Sequence, residues 1–399
     1  MENVFIARQP IFRKNLSLHG YELLFRSGIT ETAQVNDGDS ATSEVIMSTF
    51  TVFGLQDLVG DSTAFINLTR RFLVESGPLP LPSDRTVIEI LEDVSVDDEL
   101  LAAVQRLKKQ GYTLALDDYN YSRETEPLLE LVDIVKLEMP VLLGDGAEDL
   151  IKKFRSYDLT VLAEKIEDRP QLEHCRSLGC DLYQGFFLSR PDISSDTTLS
   201  TERLAIIELL SKIHDPDAEI PELEAVISRD LSLSYKLLRY INSAYYQRSF
   251  EIRSVRQAIM MLGMKELKRW ASIVSLCNAT DKPEELVKLL LVRAKMAELL
   301  ANDLSPELAD ACFMAGLFSG LDALLDRPME EILTRLPLAE DIKKALIEGV
   351  GPTGEILNNV LAYEVADPSG LHLPKLTAEE VRQHYLSALQ WQQSQNQMI

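Results

Sequence analysis

Short apolar runs that end in a polar residue recur through the first 190 residues, and they restrict the possible fold more than any other feature. The seven runs are Tyr21-Glu22-Leu23-Leu24, Phe65-Ile66-Asn67, Val87-Ile88-Glu89, Leu114-Ala115-Leu116-Asp117-Asp118, Ile134-Val135-Lys136, Val161-Leu162-Ala163-Glu164 and Leu182-Tyr183-Gln184. Runs of three or four apolar residues are typical of buried strands, and helical stretches such as 98–110 lie between several of them. This alternation predicts a βα barrel.

The polar ends of these runs predict one shared site, because the carboxyl ends of parallel barrel strands converge on a single mouth. The residues expected there are Glu22, Asn67, Glu89, Asp117, Asp118, Lys136 and Glu164. Carboxylate and amide oxygens suit Mg²⁺ or Mn²⁺ rather than zinc, and a pair of such ions can hold a phosphate ester and activate water. Each residue alone is equally compatible with an ordinary strand end facing water, but seven in register favour a site.

The motifs of this half resemble an EAL domain, the metal-dependent phosphodiesterase barrel that linearises the bacterial messenger cyclic di-GMP. The matching segments are Arg8-Gln9-Pro10-Ile11, Glu22-Leu23-Leu24-Phe25-Arg26, Ile66-Asn67-Leu68, Ile88-Glu89-Ile90-Leu91-Glu92, Asp117-Asp118, Val135-Lys136-Leu137-Glu138, Ala163-Glu164-Lys165-Ile166-Glu167 and Gln184-Gly185-Phe186-Phe187-Leu188-Ser189-Arg190-Pro191. They occur in the family's order and at barrel spacing.

The resemblance implies a role for each matching residue. A first Mg²⁺ or Mn²⁺ ion would be held by Glu22, Asn67, Glu89 and Asp117, and Asp117 would bridge to a second ion that Asp118 helps to bind. Lys136 and Glu164 would be catalytic and would position or deprotonate the attacking water. The guanine and phosphate parts of the ligand would face Gln9, Arg26, Gln184 and Arg190, since a guanidinium matches phosphate oxygens in pairs. Glu167 would hold the loop that shapes the site.

The chain departs from the family pattern close to this site. After the double aspartate, the family has an aromatic residue and a Gly-Thr-Gly loop, whereas this chain reads Tyr119-Asn120-Tyr121-Ser122-Arg123-Glu124. Glycines let a backbone adopt positive φ and approach a metal-bound phosphate. The resemblance implies that this loop couples metal binding, ligand binding and barrel pairing, so we expect its replacement to affect all three. In addition, Glu138 replaces Asp, Leu91 replaces Thr, and Lys165 replaces Gly with a charge that could neutralise carboxylates in place of a metal.

These departures leave two functional hypotheses open. In the first, the barrel is a regulatory module that binds a ligand or only acts as a scaffold, because both loop glycines are missing and a misplacement of about 1 Å can cost about a hundredfold in rate. In the second, it is a working phosphodiesterase specific for cyclic di-GMP, because every residue expected to touch a metal is retained. We expect weak or absent catalysis.

The composition changes after Pro191, where a short polar segment precedes a long helical pattern. We predict a barrel domain over residues 1–196 and an all-helical domain over residues 201–399. Segments 227–244 and 252–263 are similar to those of an HDOD domain, a non-catalytic relative of the HD phosphohydrolases. Ser319-Gly320 stands where such hydrolases have their metal-binding His-Asp doublet, and we interpret His214-Asp215 as a solvated helix end.

An α/β TIM-like barrel followed by an all-α domain resembles the EAL and HDOD signalling proteins of bacteria. The resemblance implies a relay in cyclic di-GMP signalling, with cyclic di-GMP as ligand and a signalling protein as partner of the HDOD domain. The formal charge of −23 argues against general nucleic-acid binding, although a direct nucleic-acid role of the helical half is a third hypothesis. We find no run of about 20 apolar residues and no leader pattern, so we expect a cytoplasmic protein without membrane contact.

Overall fold

The computed structural model describes residues 4–27, 54–75, 79, 81–119, 121–189, 201–242, 252, 254–277 and 282–395. By its internal contacts the chain divides into two compact units, Met1–Arg190 with Leu361–Leu389, and Pro191–Val360 with Gln390–Ile399. The segment Leu361–Leu389 thus belongs with the first unit. The predicted domains, residues 1–196 and 201–399, place this segment in the helical domain instead. The predicted domain boundary stays a prediction.

The first unit contains a closed barrel of eight strands in sequence order. They are β1 (Val4–Arg13), β2 (Leu18–Ser27), β3 (Thr63–Leu68), β4 (Thr86–Ile90), β5 (Thr113–Leu116), β6 (Ile134–Glu138), β7 (Thr160–Ile166) and β8 (Leu182–Gly185). Strands β2 to β8 coincide with the seven predicted runs and are parallel to one another. The predicted TIM-like barrel is therefore confirmed.

Strand β1 is absent from the predicted runs, and it is antiparallel to both β2 and β8. A tight turn joins it to β2, in which the Leu16 N–H donates to the Arg13 carbonyl at 2.8 Å and Leu16 has a φ of 61°. A turn this short can connect only antiparallel strands, because a parallel connection needs a crossover of a dozen or more residues. The turn sets the register in which Gln9 pairs with Glu22.

Helices accompany the barrel strands at Arg70–Glu75, Asp98–Lys109, Met139–Leu142, Ala147–Ser156 and Arg169–Leu178, with short 3-10 turns at Ser83–Arg85, Glu126–Glu130 and Phe186–Leu188. The helix expected near residues 98–110 begins after Asp97, whose carboxylate accepts a hydrogen bond from the Leu100 N–H at 2.9 Å. Inside the barrel, seven strands contribute to one apolar layer: Ile11, Phe65, Val87, Ala115, Ile134, Leu162 and Leu182. The barrel is thus a packed core and not a pore.

The chain after residue 201 is helical, and no strand occurs in its described part. The α-helices are Thr201–His214, Ile220–Arg229, Leu231–Ile241, Val255–Cys277, Glu284–Leu304, Ala309–Phe318, Leu321–Leu325, Met329–Thr334, Glu340–Glu348, Gly351–Glu364 and Ala378–Gln395. The long helix is interrupted at Gly263, where φ is 74° and ψ is 166°, so it consists of two helices joined at a kink. The all-α second half is confirmed.

One segment of the described chain, Pro306–Leu325, is long and apolar enough to cross a membrane, which the sequence analysis overlooked. Its mean hydropathy is 1.5, but 72% of it is buried inside the fold. It is broken at Ser319-Gly320 into separate helical pieces. A Cβ atom on Gly316 would lie 2.7 Å from Ala294 Cα, so this helix packs backbone to backbone against Glu284–Leu304. A core position of this kind accounts for the apolar composition.

His214 is not the solvated helix end that the sequence suggests. Its Nε2 lies 2.8 Å from Ser272 Oγ, its ring meets the Phe318 ring edge-on at 5.5 Å, and burial lowers the pKa of His214 to about 4. The Ser272 hydroxyl donates its hydrogen to the Lys268 carbonyl, so its oxygen accepts a hydrogen bond from the His214 Nε2–H group. The helix does end at His214 and Asp215 is exposed, as interpreted, but the His214 ring is not solvated, because its hydrogen-bond partner lies 58 residues away in the sequence.

Candidate functional site

The predicted site residues form a polar layer directly next to the apolar layer of the barrel. Six of them follow an apolar-layer residue by two positions, in the pairs Asn67 and Phe65, Glu89 and Val87, Asp117 and Ala115, Lys136 and Ile134, Glu164 and Leu162, Gln184 and Leu182. Side chains two residues apart on a strand point to the same face. Strand β1 runs in the opposite direction, so Gln9 precedes its core residue Ile11 instead of following it.

The ammonium group of Lys136 lies at the centre of four carboxylates. Its Nζ is 2.6 Å from Asp117 Oδ1, 2.7 Å from Glu89 Oε1, 2.8 Å from Glu164 Oε1 and 3.4 Å from Glu22 Oε1. The Lys136 side chain is only 1% exposed. One cation among four buried acids leaves an excess of negative charge, and this excess favours a further cation.

Burial opposes charge on these acids. It raises the pKa of Glu164 to about 8 and the pKa of Asp117 above its ordinary value, against the opposing attraction of Lys136. The pKa of Glu89 rises well above its usual range for the same reason. Burial also opposes the charge on Lys136, but the attraction of the surrounding carboxylates prevails and raises the pKa of Lys136 well above its ordinary value. Lys136 therefore remains a cation.

Two amide side chains hold the Glu22 carboxylate in place. Asn67 Nδ2 donates to Glu22 Oε1 at 3.1 Å, and Gln184 Nε2 donates to Glu22 Oε2 at 2.6 Å. The same Gln184 nitrogen lies 3.0 Å from Gln9 Oε1, which ties β1 to β8 at the mouth. The residues of the motif are thus connected to one another as well as to Lys136.

Several buried acceptor oxygens of this site lack a hydrogen-bond donor, namely Asn67 Oδ1, Gln184 Oε1 and Glu89 Oε2. Glu89 Oε1 has only the Lys136 ammonium beside it, at 2.7 Å. Buried acceptors without donors are costly in a fold, and a bound cation satisfies them. Oxygens of Asp117, Asp118 and Glu164 also lie within 4.8 Å of one another. The donor set fits Mg²⁺ or Mn²⁺.

A β-bulge shapes the end of β7. The pairing of β7 with β8 shifts between Ala163 and Ile166, so β7 has one extra residue there. Lys165 lies in the bulge with a φ of 57°, a left-handed conformation that suits the glycine found in the family. Opposite it, a Cβ on Gly185 would lie 2.1 Å from the Ile166 carbonyl oxygen, so only glycine fits there. The bulge buries Glu164 and exposes Lys165.

The loop after β5 is closed by hydrogen bonds of its own in place of glycines. Thr125 Oγ1 donates to the hydroxyl of the buried Tyr119 at 3.0 Å and lies 3.1 Å from Ser122 Oγ. Lys153, on the helix Ala147–Ser156, pairs with Glu126 at 2.7 Å. Sequence reasoning missed Lys153 and Thr125, because no local motif links a helix residue to a loop that precedes it by about thirty positions. The expected impairment from the loop stays a prediction.

The remaining predicted residues lie at the rim of the mouth or outside the described residues. The Arg26 side chain, Asn120 and Arg190 lie outside the described residues. Asp118 lies at the mouth with its side chain 30% exposed. Glu167 is exposed just beyond β7, and its backbone N–H donates to Gln171 Oε1 at 2.8 Å, so its role in shaping the loop stays a prediction.

The raised pKa of Glu164 predicts a pH dependence of stability. At pH values between the ordinary pKa of glutamate and about 8, the folded state binds more protons at Glu164 than the unfolded state does. Stability conferred in this way is present at low pH and is lost as pH rises through the folded pKa. In chelator, we expect the melting temperature to fall from pH 7 to pH 8, a window above the ordinary histidine pKa of 6.5. Glu164→Gln should flatten this slope, and an equally steep slope in that variant would contradict the assignment.

Comparisons with known proteins match both halves of the chain. The family model for the EAL domain matches residues 55–191, and the model for the HDOD domain matches residues 201–326. The chain is 35% identical over 408 residues to the cyclic di-GMP phosphodiesterase CdgJ of Vibrio cholerae, covering 100% of this chain and 94% of that protein. It is 35% identical over 402 residues to the uncharacterized protein YuxH of Bacillus subtilis, with coverages of 97% and 98%.

Solved structures also match the barrel half. A structure of PaMucR phosphodiesterase in complex with c-di-GMP is 21% identical, with a TM-score of 0.41, and the match covers 47% of this chain and 96% of that chain. Similarity at this level carries no argument about activity. The assignment of the chain to a family therefore depends on the two family models and on the two relatives that match over nearly the whole length.

Proposed function

Because the chain belongs to the family of bacterial proteins that join an EAL domain to an HDOD domain, we propose that its barrel binds cyclic di-GMP and hydrolyses it slowly to the linear dinucleotide, with Mg²⁺ or Mn²⁺. The EAL domain and the relative named as a cyclic di-GMP phosphodiesterase support a role in cyclic di-GMP signalling. The helical half serves as output and contacts a signalling protein in the cytoplasm.

The polar layer around Lys136 is the observation that carries this proposal. Residues from seven strand ends meet within hydrogen-bonding distance of one another, and several of their buried oxygens lack donors. A barrel that kept these acids only for stability would be expected to pair each oxygen with a donor, because unpaired buried acceptors destabilise the fold. The arrangement is better suited to holding a cation than to stabilising the empty barrel.

The roles of the residues follow from their positions. Glu22, Asn67, Glu89 and Asp117 would hold an ion that polarises the phosphodiester and supplies an activated water. Glu164, whose pKa burial raises to about 8, would accept the proton of the attacking water in its ionised form, which predominates above pH 8. Lys136 contacts the same carboxylates and fixes their orientation. Gln9 and Gln184 stand beside Glu22, where they can contact the ligand.

Slow turnover follows from two features of the site. The Lys136 ammonium already occupies the space among the carboxylates, so an ion must compete with it for the same oxygens. The loop after β5 has side chains where the family has glycines, and these cannot let the backbone approach a phosphate as closely. Together these features reduce the fraction of molecules with a correctly placed ion.

The test is a purified-protein assay with cyclic di-GMP and either Mg²⁺ or Mn²⁺, in which chromatography measures the linear product. We expect product with metal, none in chelator, and none from Glu22→Ala. Absence of metal-dependent linear product would contradict the proposal.

A second candidate is a binding module without turnover, and the loop closed by Thr125 and Lys153 favours it. Calorimetric titration with cyclic di-GMP in the presence of metal distinguishes the two. Binding without any linear product after prolonged incubation supports the module, whereas metal-dependent product lost in Glu22→Ala supports the enzyme.

The helical half is not expected to hydrolyse phosphoesters. Ser319, at the place of the His-Asp doublet, donates its hydroxyl to the Gly316 carbonyl at 2.8 Å and accepts from Arg293 Nη1 at 3.1 Å. A Cβ on Gly320 would lie 2.8 Å from Leu290 Cδ2, so the position has no room for an aspartate without rearrangement. These contacts support a binding role for this half.

A further inference from the structure

We propose that the ammonium of Lys165 takes the place of a second divalent cation at Asp118 and Glu138, the outer acids of the barrel mouth. The barrel would then bind one ion per chain instead of two. The inference rests on the proposed function, because it concerns the same site. It assigns Lys165 as a positioning residue that limits metal loading.

The first observation is the position of the Lys165 side chain. Its Nζ contacts Glu138 Oε1 and lies 3.4 Å from Asp118 Oδ2. Asp118 also belongs to the group of three acids, with Asp117 and Glu164, whose oxygens lie within 4.8 Å of one another. The ammonium therefore neutralises one of the acids that a second ion would need.

The second observation is that the backbone brings the cation to this place. Lys165 follows Glu164 directly in the β7 bulge and has a φ of 57°. Glu164 is buried toward Lys136, while Lys165 reaches the rim of the mouth with its side chain 61% exposed. Because Lys165 is the residue directly after Glu164, the backbone keeps its positive charge next to Asp118.

The third observation concerns charge. An ion bound at Asp118 would either face a like charge at close range or displace the ammonium from both Asp118 and Glu138. The inner acids Glu22 and Glu89 lie on the side of Lys136 and make no described contact with Lys165. Lys165 should therefore weaken the outer ion selectively and leave the inner ion in place.

The experiment counts Mn²⁺ ions bound to the full chain without nucleotide, by calorimetry and by electron paramagnetic resonance of free and bound Mn²⁺. We expect one ion in the wild type. We expect two ions in Lys165→Gly, with an affinity for the second at least about tenfold above any second site in the wild type. The spectrum of Lys165→Gly should also show spin coupling between two neighbouring ions.

Two further variants separate charge from backbone conformation. Lys165→Gln removes the charge but keeps a side chain in the bulge, and it should also bind two ions. Lys165→Arg keeps the charge and should bind one. Denaturant unfolding of all variants checks that each is folded, and Lys165→Gln serves in place of Lys165→Gly if the glycine variant does not fold.

The outcomes separate this inference from the proposed function. Two ions in the wild type, or one ion in both Lys165→Gly and Lys165→Gln, would overturn the role of Lys165 while leaving the phosphodiesterase proposal intact. No Mn²⁺ binding by the wild type, or equal binding by Glu22→Ala, would overturn the metal site itself and both proposals with it.

Discussion

Replacing Lys136 with methionine is expected to lower the free energy of unfolding of the metal-free protein by about 3–5 kcal/mol, because removing one partner of a buried ion pair leaves uncompensated charge. Here, four carboxylates surround the lost ammonium, and the Lys136 side chain is 1% exposed. Urea unfolding in chelator measures the loss. Turnover of cyclic di-GMP should also disappear.

The matched control for this variant is Lys152→Met on the helix Ala147–Ser156. The Lys152 side chain is 70% exposed and pairs only with exposed acids, so its loss should change stability by no more than about 0.5 kcal/mol. Mg²⁺ or Mn²⁺ should restore part of the stability of Lys136→Met, because the ion replaces the missing positive charge. A Lys136→Met protein as stable as Lys152→Met in chelator would show that the four acids do not share a charged site.

Replacing Glu89 with glutamine is expected to change stability and activity in opposite directions. Glu89 is fully buried, its Oε2 lacks a hydrogen-bond donor, and burial raises its pKa well above the usual range. A neutral side chain of the same shape removes the cost of burying a carboxylate charge. Lys136 keeps three other carboxylates. We expect a gain of about 1–2 kcal/mol in the metal-free protein.

The same substitution should lower metal-dependent turnover by at least about a hundredfold, because a ligand that would touch the ion directly is lost. Urea unfolding in chelator and the linear-product assay measure the two effects on one preparation. Glu92→Gln, an exposed acid two positions after β4, is the control and should change neither. A Glu89→Gln protein that is less stable than the wild type without metal would mean that Glu89 supports the empty barrel.

The strands and the polar layer could be predicted because their signals are local. An apolar run with a polar residue at its end specifies both a buried strand and the side chain that follows the core residue by two positions. The direction of β1 could not be predicted in this way, because the apolar pattern of Val4–Arg13 is the same whichever way the strand runs. Its direction depends on the turn at Leu16, whose left-handed conformation is unusual for leucine.

Contacts between residues that are distant in the sequence account for the other differences. Lys153 secures a loop that sequence reasoning treats as weakened, and Ser272 accepts the proton of a histidine that sequence reasoning places in solvent. Lys165 was identified as a substitution for glycine, but its left-handed backbone depends on the bulge opposite Gly185. Such features follow from tertiary packing, which no single segment encodes.

The hairpin that joins β1 to β2 has an implication for how ligand contacts in this barrel can evolve. Its turn lies at the end of the barrel opposite the mouth, yet the turn determines that Gln9 is paired with Glu22. One inserted residue would slide β1 by a single position and turn Gln9 to the outer surface, while Arg8 or Pro10 entered the mouth. A change in the length of a solvent-exposed connection could thus exchange a ligand-facing side chain without any mutation near the ligand.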